Sequence, residues 1–295
     1  MAHASSSVET VLGKKNANQL GRTLTHEHLS LNFATFYVQP PGHLKRFLDD
    51  KIELRNVGML KQYPYSNPYN LIYNDQCTED AILEDVRLYK EFGGGTIVEN
   101  SNYGLQRNIP FMRKVSQVTG INVIAGTGYY VSATQTKEDL LKEDMYDVML
   151  KEMTIGCEEY PDVKTGFIGE VGSTWPITRT ILSPEDLLEF ADDAKCYCQF
   201  DLFGCECSFY QLSPSVDMIS DAQRIDRVKH FRNDQKLDRV LLSHDIHTKH
   251  RLMKFGGHGF SHILNNVVPK MTLKGFTSEE IDTLTIHNPR TWLTS

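Results

Sequence analysis

The chain has 295 residues, enough for one large α/β domain or two ordinary ones. With 40% hydrophobic and 23% charged residues it has a globular composition, and its net charge of −7 without a Lys/Arg block argues against nucleic-acid binding. No apolar run approaches the ~18 residues of a membrane helix, and residues 1–7 lack the basic and apolar regions of a signal peptide, so we expect a soluble, cytoplasmic protein.

The first predicted strand ends in two histidines that are separated by one residue. Side chains alternate between the faces of a strand, so His26 and His28 share one face and Glu27 points away. Two imidazoles on one strand end can chelate a divalent metal, for which zinc is the usual choice. An isolated His-x-His motif is about as often an ordinary pair of histidines, so the rest of the chain must decide.

A long loop and a capped helix are predicted after this strand. Residues 30–75 are rich in aromatic residues, contain prolines and lack clear periodicity, which is typical of a loop. Thr78 is predicted to cap a helix that ends at the glycines 93–95.

Strands and helices then alternate to the end of the chain. Pro110 suits the first turn of a helix that Gly120 ends, and Thr136 with Asp139 predicts a capping box. Further helices are predicted after Ser183, near 221–233 and after Thr277. The corresponding strands are predicted at 96–100, 121–126, 166–170, 197–201 and 239–245.

The six cysteines are predicted to be free thiols, because the expected compartment is reducing. The two Cys-x-Cys pairs within 196–207 also admit a metal site. Paired zinc-binding cysteines usually have two or more residues between them, so thiols along one strand and its following loop are favoured.

The alternation of strands and helices predicts an α/β fold with parallel strands. A doubly wound sheet and a (β/α)8 barrel both fit this pattern. The sequence has no Gly-rich phosphate-binding motif after the first strand, and polar groups converging from many strand ends are typical of a barrel's catalytic face. The polar residues at predicted carboxyl ends are His26, His28, Glu99, Asn100, Glu170, Asp201, His244 and Asp245.

Part of this set has the composition of a metal-dependent hydrolase site. Such a site needs a Lewis acid that lowers the pKa of a water molecule, and a carboxylate that accepts the water's proton. Each residue also has an ordinary interpretation, because a strand-end Asp often caps a helix and a Glu can simply be exposed. The metal interpretation is favoured because four suitable residues lie at strand ends, namely His26, His28, Glu170 and Asp245.

Several motifs of the chain match a known pattern. The segment Gly-x-Thr-Leu-x-His-Glu-His-Leu at 21–29 resembles the signature of the phosphotriesterase family of the amidohydrolase superfamily. The segments Gly-Glu-Val-Gly at 169–172, Ser-His-Asp-Ile-His-Thr-Lys at 243–249, Gly-Gly-His-Gly at 256–259 and Val-Val-Pro-Lys at 267–270 resemble its animal branch.

This resemblance implies a distorted (β/α)8 barrel that holds two divalent metals, usually zinc. By resemblance, His26 and His28 bind the first metal, Asp245 ligates it and accepts a proton, and Glu170 bridges both metals. The implied reaction is the attack of a metal-bound hydroxide on the amide of an N-acetylated amine, such as N-acetyltaurine, or on an ester-type bond. The expected partner is a small-molecule substrate. Asn100, Tyr129 and His247 lie in segments where substrate-facing loops are expected, although loop residues are often only surface.

The chain departs from the family between the fourth strand and the next one. The family has two further metal-binding histidines, from its fifth and sixth strands, and neither is found here. The interval from Glu170 to Asp201 holds one βαβ unit of about 30 residues, where an eight-stranded barrel needs three. The sequence therefore predicts about six barrel strands in one domain spanning 1–295, with units five and six missing near Thr178 and Arg179.

Such a loss has physical consequences. Strand number, tilt and shear are coupled in a barrel, so closure with six strands strains the registers. A sheet that stays open exposes edges and apolar faces that favour aggregation, so we predict a barrel of low stability. The second metal would keep only Glu170 and stay unbound.

Three functions remain open at this point. The chain is a metal-dependent hydrolase, or an inactive isoform that arose by exon skipping or a gene-model error, or a Cys/His-rich metal-binding scaffold without catalysis. The first two share the family resemblance and differ in activity.

Overall fold

Parallel strands form the centre of the fold. The structure is a computed structural model and describes residues 6–135, 145–170 and 183–295, apart from 206, 208, 209, 213, 215 and 216. The predicted capping box at Thr136 and the predicted junction near Thr178 lie outside the described residues. The strands are β1 Ser7–Thr10, β2 Gly13–Asn16, β3 Arg22–Glu27, β4 Gly94–Glu99, β5 Asn122–Thr127, β6 Phe167–Ile168, β7 Cys198–Phe200 and β8 Val240–Leu242.

Helices lie between the strands and continue to the carboxyl terminus. The α-helices are α1 Lys45–Leu48, α2 Val57–Gln62, α3 Pro68–Leu71, α4 Gln76–Glu91, α5 Ile109–Thr119, α6 Met145–Thr154, α7 Pro184–Ala194, α8 Asp221–Asn233, α9 Val268–Leu273, α10 Ser278–Asp282 and α11 Asn288–Trp292. Single 3-10 turns occupy Ala17–Gln19, Ala34–Phe36, Gly42–Leu44, Pro64–Ser66, Ser132–Thr134, Leu237–Arg239, Lys249–Arg251 and Met253–Phe255, and π-helical turns occupy Ile263–Val267 and Thr283–His287.

The strand order is that of a partial barrel. Strands β3, β4, β5 and β6 form a parallel sheet in chain order, and β7 pairs in parallel with β8. A doubly wound sheet would reverse its strand order at a switch point, which this sheet does not do. The end of β8 returns to β3, where the Asp245 amide donates to the His26 carbonyl at 3.1 Å. The predicted α/β fold, a TIM-type barrel with about six strands, is confirmed.

The hairpin β1–β2 is an addition to this barrel. Its two strands pair antiparallel, and the Val11 amide after β1 donates to the Val123 carbonyl of β5 at 2.9 Å. The buried side chains of Val8 and Ile124 belong to a small apolar cluster beneath the sheet.

Local capping chemistry sets several helix bounds as predicted. Pro110 lies in the first turn of α5, and Gly120 ends the helix in the left-handed conformation with φ 69°. The Ser183 side chain accepts the Asp186 amide at the start of α7, and Thr277 forms a capping box with Glu280 at the start of α10. Side-chain acceptors satisfy amides that a helix start leaves without partners.

The start and end of α4 differ from the prediction. The cap is Asp75 rather than Thr78, because the Asp75 carboxylate accepts both the amide and the hydroxyl of Thr78. The helix ends at Glu91, and the second and third predicted terminating glycines belong to β4. Gly95 is needed there because an added Cβ would lie 2.2 Å from the Leu20 carbonyl oxygen.

The long segment after β3 contains more structure than a loop. It carries the short helices α1, α2 and α3, each of which is six residues or shorter. Asn67 organises this region, since its side-chain amide donates to the carbonyls of Leu48 and Asp50. Such contacts between distant residues leave no periodic pattern in the sequence.

The six cysteines are free thiols, as predicted. None of the helices in the described part of the chain combines the length and the apolarity that a membrane span requires.

Asp221 joins the loop after β7 to two later elements. One carboxylate oxygen accepts from the Gly204 amide and from the Arg224 guanidinium, each at 2.8 Å, and the other lies 2.7 Å from His262 Nε2. Although burial alone would raise the pKa of Asp221, these partners lower it to about 2. The folded protein is therefore stabilised above the unfolded pKa of 3.8, and this stabilisation is lost as the pH falls towards 2.

Asp221→Asn should lower the free energy of unfolding by about 2 kcal/mol at pH 7, because one pKa unit corresponds to ~1.4 kcal/mol. The difference from the wild type should shrink between pH 4 and pH 2, and urea unfolding at several pH values measures it. Asp226→Asn is the matched control, since Asp226 lies on the same helix, is 55% exposed and pairs with Lys274. Its effect should stay below about 1 kcal/mol. A pH-independent loss in Asp221→Asn would contradict the assignment.

Candidate metal centre

Three candidate ligands converge at the carboxyl ends of β3 and β6. His26 is near the end of β3, His28 follows that strand directly, and Glu170 follows β6. One ligand atom from each of these three residues lies within 4.8 Å of the others. The shared face of the two histidines places their rings 5.5 Å apart, as the alternation of the strand predicts.

Asp245 joins this group from the loop after β8. Its Oδ1 lies 3.2 Å from His28 Nε2 and 3.7 Å from His26 Nε2. The residue has φ 52°, a left-handed conformation that is uncommon for a residue with a side chain. All four predicted metal residues therefore lie close together, with Asp245 beside the two histidines. We call His26, His28, Glu170 and Asp245 the ligand cluster.

The charges within the ligand cluster depend on one another. Burial alone would raise the pKa of Asp245, but His247 and His28 hold it well below its ordinary value. Burial alone would lower the pKa of His28, whereas Asp245 raises it to about 9. Burial raises the pKa of Glu170, and the two histidines only partly oppose this. A divalent cation would replace the protons that the imidazoles supply to these carboxylates.

The hydrogen bonds of His28 leave one ring nitrogen facing the cluster. The Ser101 hydroxyl donates to the Ser30 carbonyl at 3.1 Å, so it accepts from His28 Nδ1 at 2.9 Å. His28 Nε2 then carries the lone pair that a metal requires. This arrangement, in which the second ring nitrogen donates to a fixed acceptor, is the usual one for metal-binding histidines.

His26 also presents a nitrogen that suits a metal. His26 Nε2 is buried and has no hydrogen-bond partner. Its Nδ1 lies 2.8 Å from the Gln199 side-chain amide and 3.5 Å from Asp201 Oδ2. When the side-chain amide of Gln199 is rotated by half a turn, its oxygen accepts from His26 Nδ1, and the lone pair of His26 Nε2 is available to a metal. This rotation only exchanges the amide oxygen and nitrogen, which are similar in size. The donor set of two imidazoles and two carboxylates fits zinc.

Gln199 and Asp201 contact His26, which the sequence patterns do not predict. They lie two positions apart on and after β7, so they share the face that points to the cluster. Asp201 is among the polar residues at predicted strand ends, and the period of two that places His26 and His28 on one face also places Gln199 and Asp201 on one face.

Glu27 and His244 face away from the cluster, as predicted for Glu27 from the alternation of side chains along β3. Both side chains are fully buried, and His244 Nδ1 donates to Glu27 Oε1 at 2.7 Å. The Ile263 amide donates to the other His244 nitrogen at 3.0 Å. His258 and His262 belong to this second group of histidines, with their rings 4.7 Å apart, and not to the ligand cluster. Among the described residues, the group suited to a metal is that of His26, His28 and Glu170.

The three predicted substrate-facing residues occupy different places. His247 lies beside the cluster, with Nδ1 3.2 Å from Asp245 Oδ1 and Nε2 3.2 Å from the Tyr65 hydroxyl. Asn100 is buried, and its backbone N–H donates to the Glu27 carbonyl. Tyr129 is buried against Tyr103, with their rings stacked at 4.9 Å.

A cavity of about 330 Å³ adjoins the cluster at His247. Its lining includes Tyr65, Lys61, Arg251, His250 and His258, and the described lining residues include no Asp or Glu. Burial lowers the pKa of His250 and His258 well below the ordinary value, whereas Lys61 and Arg251 are cationic side chains of the lining. The cavity has the size of a small-molecule site.

Several insect proteins have a sequence similar to that of this chain. The phosphotriesterase-related protein of Aedes aegypti is 42% identical over 337 aligned residues, which cover 93% of this chain and 94% of the relative. That of Drosophila mojavensis is 41% identical over 346 aligned residues, with 98% and 99% covered.

Solved structures of bacterial proteins have a similar fold. A resiniferatoxin-binding protein from Rhodobacter sphaeroides superposes with a TM-score of 0.89 at 23% identity and covers 98% of this chain and 95% of its own. A phosphotriesterase homology protein from Escherichia coli, complexed with phosphate in its active site, superposes with a TM-score of 0.70 at 21% identity, covering 93% and 99%. These two likenesses concern the fold.

The sequence profile of the phosphotriesterase family matches the chain in two segments, residues 6–183 and 179–293. Together with insect relatives at about 40% identity over nearly the whole length, this match shows the family. The chain belongs to the phosphotriesterase family, whose members are divalent-metal hydrolases of small molecules.

Proposed function

We propose that this chain is a zinc-dependent hydrolase that cleaves the amide bond of a small N-acetylated amine, such as N-acetyltaurine, or a related ester-type bond. The observation that carries the proposal is the convergence of His26, His28 and Glu170 within 4.8 Å, with Asp245 beside them. The zinc ligands are these four residues. The free cysteines support a reducing compartment such as the cytoplasm.

The residues of the ligand cluster have distinct roles in this proposal. When bound, zinc supplies a Lewis acid that polarises the substrate carbonyl and lowers the pKa of water. Asp245 is the general base, because its depressed pKa keeps it ionised at neutral pH and its Oδ1 faces the histidine nitrogens. His247 holds the same oxygen from the cavity side and orients it.

The cavity beside His247 supports a substrate with a negatively charged group. Arg251 is 4% exposed; its two terminal nitrogens donate to three backbone carbonyls, while its Nε has no hydrogen-bond partner. A buried cation is costly unless an anion or polar groups compensate it. The sulfonate of N-acetyltaurine is such an anion, and Lys61 lies at the same cavity. Asn100 and Tyr129 are also assigned to the substrate side, where Tyr129 packs against Tyr103.

A second candidate is an impaired isoform of the same enzyme. The alignment with the Drosophila mojavensis relative spans 346 positions, although this chain has 295 residues. The two segments that match the family profile overlap at residues 179–183. These facts support a single domain, 1–295, from which barrel units five and six are missing near Thr178 and Arg179. Such a chain lacks two of the family's metal-binding histidines and would hold one metal or none.

The metal content of the purified chain tests the site directly. We expect about one zinc per chain, and His26→Ala should abolish it because the cluster then loses one of two imidazoles. Cys205→Ser is the control and should leave the zinc content unchanged, since among the described residues the group that could hold a metal contains no cysteine. Elemental analysis after dialysis measures both. Zinc loss in Cys205→Ser with retention in His26→Ala would instead favour the scaffold interpretation.

The charge of the substrate tests the cavity. N-Acetyltaurine should be hydrolysed with a kcat/KM at least about tenfold above that of N-acetylethanolamine, which has a hydroxyl in place of the sulfonate. Lys61→Met should reduce this preference by raising KM, because a cation at the cavity is lost. Lys254→Met is the matched control, as Lys254 is exposed and lies outside the cavity lining. Equal rates for both substrates in the wild type would contradict the anionic preference.

Restoring the missing segment tests the isoform. Insertion of the two β/α units of an insect relative at 178–179 should raise the zinc content to about two per chain and increase the melting temperature. Sequencing transcripts across this junction shows which form is the main product. Equal zinc content and stability in both versions would mean that the short chain is complete.

A further inference from the structure

The contact between β3 and β8 depends on side chains. Among the described residues, β3 and β8 belong to separate sheets, so no ladder of backbone hydrogen bonds joins them. The Ser243 hydroxyl accepts the His26 amide at 3.0 Å, and the Thr25 hydroxyl donates to the Leu242 carbonyl at 3.2 Å. We call this contact the β3–β8 seam.

Glu27 accepts four hydrogen bonds across the β3–β8 seam. Its Oε1 accepts from the Ser243 hydroxyl at 2.8 Å, the His244 amide at 2.9 Å and the His244 ring at 2.7 Å. Its Oε2 accepts from the Ile246 amide at 3.0 Å. The side chain is fully buried, so water offers these donors no alternative.

Two of these bonds hold the residues on either side of Asp245. The amides of His244 and Ile246 bind different oxygens of the same carboxylate. Between them, Asp245 has φ 52°, which persists only where the surroundings determine it. The Asp245 amide donates to the His26 carbonyl, and Arg251 donates to the Asp245 carbonyl. The left-handed turn is therefore fixed from both sides.

We propose that Glu27 is a positioning residue that holds Asp245 in its left-handed conformation and so aims the Asp245 carboxylate at His26 and His28. This inference rests on the proposed metal site, and it adds a function for the residue between the two histidines. A single residue then couples the two strands: β3 presents the imidazoles on one face, and from the other face it fixes the carboxylate contributed after β8.

The chemistry of the side chain makes the proposal specific. A carboxylate offers acceptors on both oxygens, whereas a glutamine amide offers one oxygen and one NH2 donor. In Glu27→Gln, the NH2 group must face either the Ile246 amide or the donors from Ser243 and His244. One of the two amides that flank Asp245 then loses its partner, although the size of the side chain is unchanged.

Cobalt binding to the metal-free protein tests this inference. Glu27→Gln should weaken Co²⁺ affinity about 10–100-fold, as is typical for residues that orient metal ligands, and should change the visible absorption of the bound cobalt. Hydrogen exchange of residues 243–247 in the metal-free protein should also become faster. If Glu27→Gln does not fold, Glu27→Asp keeps the charge but reaches only one flanking amide, and should weaken binding about three- to tenfold.

Glu152→Gln is the matched control for the loss of a buried carboxylate. Glu152 is 1% exposed and pairs with Arg107, away from the β3–β8 seam. It should lower stability while leaving Co²⁺ affinity within twofold and the exchange of 243–247 unchanged. Wild-type affinity and exchange in Glu27→Gln would overturn the proposal. A wild-type protein that binds no cobalt would refute the proposed metal site, and the exchange of the metal-free protein would still decide the role of Glu27.

Discussion

The acceptance of four hydrogen bonds by the buried carboxylate of Glu27 is the constraint on which the ligand cluster depends. A fully buried carboxylate is costly unless it is well bonded, and here the donors come from the opposite side of a seam without a backbone ladder. Burial alone would raise the pKa of Glu27, yet the His244 ring and the Ile246 and Ser243 donors lower it. The site's geometry and the closure of the sheet at β3 therefore have the same physical origin.

The strands of the barrel are shortest at β6, β7 and β8. Strand β6 has two residues and pairs with β5 at two positions, and β7 and β8 have three residues each. The ligand cluster still forms because its members come from β3, from the end of β6 and from the loop after β8. Strand ends near one another in space can complete a site even when the ladder between them is short. Low stability of this barrel remains a prediction.

Local sequence patterns predicted much of this fold and the four residues of the ligand cluster. Proline, glycine and the serine or threonine caps set the bounds of α5, α7 and α10, because capping involves residues that are close in sequence. The same kind of reasoning erred at α4, where both Asp75 and Thr78 are suitable caps and only the folded chain shows which oxygen accepts the amide. The short helices after β3 were not predicted, because contacts such as those of Asn67 join residues that are distant in the sequence.

The sequence by itself determined the family, the α/β class, the shared face of His26 and His28, and the candidacy of Glu170 and Asp245, since these follow from motifs and from the period of a strand. Only the tertiary structure decided that Gln199 and Asp201 contact His26 and that Arg251 lines a cavity beside His247. It also decided that Asp245 takes a left-handed conformation between two amides bound to Glu27. The reason is physical: these contacts join residues from strands far apart in the chain, and no local pattern records which side chains meet when a sheet closes.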